Sequence, residues 1–184
     1  MRKRTKLSSL VLLVAGGILV SLFNAGLKAT NTTQFCTSCH SMQTNLVELQ
    51  ENLHWSNASG VHAGCADCHV PKAFFPKMKA KVLAVKDVYH EILGTIDTPE
   101  KFEEHRWDMA SRVWAKMEAT DSRECRSCHS FDHMDVSEQD KSARKRHERA
   151  ESEGKTCIDC HKGIAHEEPD EPEEEDEVAE NGQS

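Results

Sequence analysis

Cys36-Thr37-Ser38-Cys39-His40 recurs in kind as Cys65-Ala66-Asp67-Cys68-His69, Cys125-Arg126-Ser127-Cys128-His129 and Cys157-Ile158-Asp159-Cys160-His161. These four runs use all eight cysteines of the 184-residue chain. Two thiols separated by two residues reach the two vinyl groups of one porphyrin, and the imidazole of the next residue reaches its iron. The spacing therefore reads as covalent attachment of four haem c groups. Paired C-x-x-C runs also build zinc sites, and exported chains form disulfides, but neither chemistry calls for a histidine after every second cysteine. Haem also answers a problem of composition. Aromatic residues are 5% of the chain and hydrophobic residues 38%, so a core of protein side chains alone would be thin, and small domains of that kind lean on metals, disulfides or partners.

The motifs come in two pairs, with 24 residues between the first and second and 27 between the third and fourth. This predicts two dihaem halves. Inside the first gap His54 stands 11 residues before Cys65, and inside the second His147 stands 10 before Cys157. Matched placement assigns both as sixth ligands to iron. After the last motif, His166 follows His161 by five residues, but after the second motif Lys72 stands three beyond His69, so the symmetry fails there. Of His62, His90, His105 and His133, His62 has the best claim to ligation, because the first half otherwise lacks one partner.

Outward from the motifs, Leu7 to Leu27 is a run of 21 residues without charge, about 30 Å as a helix and so about one hydrocarbon core. Arg2, Lys3, Arg4 and Lys6 precede it, and Lys28 alone follows closely. By the positive-inside rule residues 1–6 are cytoplasmic, 7–27 are a transmembrane anchor, and everything after is exported to the periplasmic side of a bacterial inner membrane. A cleaved signal peptide shares this layout but has a shorter apolar run. The haem domain is then 28–166. Residues 167–184 carry ten acidic side chains and no Lys or Arg, a composition that predicts a disordered acidic tail. The net charge is −8 and no basic stripe is present, which excludes nucleic acid as a partner.

Between the pairs, residues 76–93 place Met78, Val82, Val85, Tyr89 and Ile92 at helical spacing, from Pro76 to Gly94. A second helix is predicted from Thr98 as N-cap with Pro99 in its first turn, carrying Phe102, Met109, Val113 and Met117. No alternating strand pattern occurs. The expected fold is mostly α, one N-terminal transmembrane helix plus a small multihaem domain whose haems are the core.

These residues resemble the NapC/NirT family of membrane-anchored tetrahaem quinol dehydrogenases, over about residues 8–168. The likeness rests on the anchor, the four motifs and their spacings, Ser59-Gly60-Val61, Cys68-His69-Val70-Pro71, the run from Gly94 to Phe102 and the run from Thr156 to His166. It looks most like the branch serving periplasmic nitrate reductase. The resemblance implies transfer of electrons from membrane menaquinol or ubiquinol in the lipid bilayer to a periplasmic reductase, nitrate reductase first, with a nitrite or other N-oxide reductase as the alternative acceptor. It also implies methionine ligation of the first haem, two residues after the motif histidine, which matches Met42 and would leave His40 unligated. A carboxylate and a lysine beside that haem, matching Asp87 and Lys81, are implied as the quinol site. The family usually has histidine where this chain has Lys72, so three outcomes remain for that iron: Lys72 as a neutral amine, His62 in its place, or a ligand from a partner or an open position. A terminal reductase with an open haem and a passive electron carrier are the competing functions.

Overall fold

The computed structural model describes residues 2–172. Its regular structure is helical, with no strand among the described residues, as the sequence predicts. Helix α1 (Arg2–Ala29) carries a 24-residue stretch, Lys6–Ala29, long and apolar enough to cross a membrane, and its 18-residue apolar window is not buried by the rest of the chain. Its few polar groups bond inward. Ser21 Oγ donates to Gly17 O at 2.8 Å and Asn24 Nδ2 to Val20 O at 2.8 Å, so neither presents an unpaired donor to an apolar surrounding.

The rest of the chain follows α1 after three residues. Helices α2 (Thr33–Cys36), α3 (Gln43–Gln50), α4 (Cys65–His69), α5 (Phe74–Leu83) and α6 (Val85–Ile92) form its first half. The second half is α7 (Pro99–Glu118), α8 (Arg123–Arg126) and α9 (Lys141–Ala150), with the fourth motif in a single 3₁₀ turn, Cys157–Asp159. Thr98 caps α7 as expected, its Oγ1 accepting the Lys101 amide at 3.3 Å with Pro99 in the first turn. The predicted helix over 76–93 is instead two helices. α5 begins at Phe74, and the chain turns at Ala84, where ψ is −12° and Asp87 N bonds the Ala84 carbonyl three residues back. Pro76 falls in the first turn of α5, where its missing N–H costs nothing. Lys81 and Asp87 therefore sit on different helices, not about 120° apart on one, as an unbroken helix would require.

Leu49, Phe102, Ile158 and Pro71 are the buried apolar side chains among the described residues. The rest of the interior is polar. Arg106, 7% exposed, donates to Glu103 and to Glu48, both at 2.7 Å, which ties α3 to α7. Ser122 is fully buried, and it and Asp121 are non-glycine residues with positive φ, 45° and 53°. That conformation costs roughly 1–2 kcal/mol per residue. The bonds around the turn compensate: Ser122 N donates to Met117 O at 2.7 Å, and Ser122 Oγ accepts the Ile158 amide at 3.1 Å. The approach to the third motif is thereby pinned to the fourth.

Residues 167–172 of the acidic segment lie along α7. The Glu167 amide donates to Glu48 Oε2 at 3.1 Å, and Glu168 to Glu171 border a groove with Trp107, Trp114 and Lys162. The expectation of disorder from 167 onward does not describe these six residues, and its remainder, 173–184, lies outside the described residues.

Candidate functional site

In each motif the two cysteines are three residues apart, which puts both thiols on one side of a helical turn. Motifs two and four are closed by their own aspartates. The Asp67 carboxylate accepts the Gly64 amide at 2.9 Å, and that of Asp159 accepts the Thr156 amide at 2.6 Å. Gly64 packs closely on α2, since a Cβ there would sit 2.6 Å from Thr33 Oγ1 and make that side chain turn away. α4 packs against both α2 and α8. The thiols follow the same order. The Cys36 and Cys65 thiols lie close enough to shift each other's titration, Cys36 upward and Cys65 down to about 6. Burial, helped by the neighbouring charge of Cys125, pushes Cys68 up to about 11, and burial together with Cys157 raises Cys125. The four attachment points thus neighbour one another in chain order.

Three of the four motif histidines face another imidazole. His69 and His166 have ring centroids 6.2 Å apart, His129 and His54 6.2 Å, and His161 and His147 5.8 Å, with His147 Nε2 at 3.5 Å from His161 Nε2. Two metal–imidazole bonds of about 2 Å each place facing nitrogens about 4 Å apart, and the ring centroids about 6 Å apart. The pairs fit an iron held between two histidines. A zinc site takes three or four protein ligands, and no group of three or more His, Cys, Asp or Glu among the described residues is arranged to hold a bare ion. A pair suits an iron that arrives with four porphyrin nitrogens.

The surroundings point the rings. Gln139 Oε1 lies 2.6 Å from His147 Nδ1 and Asn52 Oδ1 lies 3.2 Å from His54 Nδ1, which leaves each Nε2 toward its partner. Glu48 stands 3.6 Å from His166 Nδ1, beyond hydrogen-bond length but close enough to orient the ring by charge. The His69 side chain has accessible surface yet is enclosed by chain at longer range, and that enclosure pushes its pKa down to about 4. Burial also lowers His161 and His166. Neutral imidazole is the form that ligates.

The pairing differs from the expectation of two self-contained halves. His54, in the first half, meets the third motif, and His166, at the end of the second, meets the second motif. Neither proposed substitute stands there. Lys72 is exposed, while His62 has its ring 4.4 Å from that of Trp55 and its Nδ1 at 3.1 Å from the Trp55 carbonyl. Matching by sequence position missed this because α4 packs on α8, bringing the middle motifs together.

The first motif has no such histidine pair. His40 is exposed and Met42 half-buried, both in the 3₁₀ turn His40–Met42. Glu91 of α6 holds this turn. It accepts the His40 amide through Oε1 at 2.9 Å and the hydroxyl of buried Ser41 through Oε2. Asp87, one turn earlier on α6, shares that general side of the helix. Lys81 Nζ donates to Thr30 O at 2.6 Å and to Thr30 Oγ1 at 3.1 Å, just past the end of α1. Burial lowers its pKa from the ordinary lysine value, offset in part by Cys36 of the first motif. Lys81 thus lies just past the end of α1 near Cys36, and Asp87 lies on the side of α6 that Glu91 turns to the first motif. Nothing in the sequence reading singled out Glu91; its spacing of four from Asp87 was the available signal. Glu91→Ala is expected to destabilise the protein by about 1–2 kcal/mol, because one of its two bonds is half-buried and the other exposed. At this chain length that lowers Tm by roughly 2–4 °C per kcal/mol. Glu91→Gln keeps an acceptor and should melt near the parent temperature.

The chain matches the NapC/NirT cytochrome c family, N-terminal region, over residues 1–171. A protein of Allochromatium vinosum described as a tetraheme cytochrome-c type is 59% identical over 173 residues, 94% of each chain. Cytochrome c-type protein NapC of Escherichia coli strain K12 is 48% identical, covering 91% of this chain and 85% of that one. Denitrification system component NirT of Stutzerimonas stutzeri is 51% identical, covering 90% and 83%. No solved structure matches.

Proposed function

The chain belongs to the NapC/NirT cytochrome c family, and from that premise we propose that it oxidises membrane quinol beside its first motif and supplies a periplasmic reductase, nitrate reductase being the acceptor. Membership makes it an electron-transfer protein with covalently attached haem c. The reading takes α1 across the inner membrane with the haem domain outside, and four haems on the four cysteine pairs. Haem supplies reversible one-electron chemistry at iron. The protein's part is to hold and space the irons and to manage the quinol's protons.

Holding falls to His69 with His166, His129 with His54, and His161 with His147, with Met42 in place of His40 at the first iron. The cysteine pairs set the spacing, each beside the next. Proton management falls to Asp87 and Lys81. Quinol oxidation releases two protons, so a base must stand at the hydroxyl. The Asp87 carboxylate accepts the two protons one after the other, releasing the first to water from its exposed position on α6 before taking the second. Lys81, braced on Thr30, turns a remaining N–H toward the quinol oxygen and orients the ring. The observation that supports the reading is Lys81 Nζ bonded to Thr30, just past the end of α1 and near Cys36.

The test is direct. Detergent-purified protein mixed with a short-chain quinol analogue is expected to show haem reduction in its absorption spectrum, and a quinol-site inhibitor is expected to block it. A spectrum that stays oxidised with quinol but responds to dithionite would leave only a passive carrier.

A further inference from the structure

We propose that α5 and α6 form a second membrane contact, an amphipathic helix pair lying in the headgroup layer beside the end of the anchor and binding anionic phospholipid. Both helices expose large apolar side chains in unusual number: Phe75 is 81% exposed, Val82 71%, Leu83 60%, Val85 65%, Tyr89 57% and Ile92 78%. Soluble surfaces rarely leave so contiguous an apolar patch uncovered.

The direction of that patch argues against cover by the haem domain. Successive residues turn by about 100° around a helix, so Val85, Tyr89 and Ile92 share one side of α6 and Asp87 and Glu91 another. Glu91 is bonded to the backbone of His40 and the hydroxyl of Ser41, so its side of α6 faces the first motif. The apolar side is turned away from it. On α5 the same geometry separates Phe75 and Val82 from Lys81, which points to Thr30.

Continuity and charge identify the occupant. Lys81 ties α5 to Thr30, one residue past α1, so a bilayer crossed by α1 ends near this patch. Residues 72–86 hold five lysines and no carboxylate. Of these Lys72, Lys79 and Lys86 are exposed, placed to reach phosphate while their stems lie along the apolar surface. Exposed apolar side chains, with Lys79 among those of α5 and Lys86 at the edge of those of α6, form the pattern of an interfacial helix pair on anionic lipid. The pair would fix the height of the domain, presenting the first motif to molecules leaving the bilayer.

The inference rests on α1 crossing a bilayer and not on the quinol reading, so protein inert to quinol would leave it standing. Full-length protein carrying the photo-crosslinker benzoylphenylalanine in place of Phe75, or separately of Tyr89, is reconstituted into nanodiscs. One set is phosphatidylcholine alone and the other contains phosphatidylglycerol. Arg146, exposed on α9 next to His147, whose ring faces His161, serves as control position. After illumination, mass spectrometry is expected to find lipid adducts several-fold more abundant at both test positions than at Arg146, and to rise with phosphatidylglycerol. Unchanged haem content by absorption verifies folding, and either test position suffices if the other fails. Adducts no commoner than at Arg146, crosslinks between two copies of the chain, or yields indifferent to phosphatidylglycerol would each overturn the proposal.

Discussion

Asp87→Asn is expected to slow quinol-driven haem reduction by about 10²- to 10⁴-fold, the usual contribution of a positioned general base, with dithionite reduction and haem content unchanged. The substitution keeps shape and removes only the ability to take a proton. Asp87 is exposed on α6, so its loss leaves no buried partner unpaired and stability should hold. Its position depends on Glu91, which anchors the helix to the first motif a turn away. Stopped-flow absorption with a quinol analogue measures the effect. A rate within a few-fold of the parent would take Asp87 out of the mechanism and leave it a solvated side chain.

His166→Ala is expected to convert one low-spin iron to high-spin, seen by electron paramagnetic resonance of the oxidised protein, while Lys72→Ala and His62→Ala leave the spectrum as it was. The opposite pattern would return the second iron to Lys72 or His62. The reason for the expectation is the 6.2 Å approach of the His166 and His69 rings. His54→Ala should act in the same way on the third iron, through the 6.2 Å approach to His129. The two signals should be distinguishable, because the His69 and His166 planes meet at 31° and those of His54 and His129 at 83°. Both variants should also melt at lower temperature than His105→Ala, since each removes a tie between the two halves, and metal ligation is folding free energy in a domain with so few buried apolar side chains.

Some of this was legible without coordinates. Thr98 as the N-cap of α7 depends on a hydroxyl three residues from an amide and was read correctly. The break at Ala84 was not, because the apolar spacing runs through it without interruption. The two helices satisfy different neighbours, Thr30 through Lys81 and the first motif through Glu91, and no local pattern reports that. Lys72 misled in a similar way. Its place three residues after His69 suggested a nearby substitute ligand, and the imidazole that reaches His69 lies 97 residues further along the chain.

By itself, the amino-acid order determined whatever acts through neighbouring residues. A thiol pair and the following imidazole need only one helical turn, an apolar run needs only its length, and a cap needs only the next turn. Which histidine faces which was decided by tertiary structure alone. Packing of α4 on α8 and of the fourth motif on α7 sets that pairing, and those contacts join segments whose separation along the chain carries no trace of their distance in space.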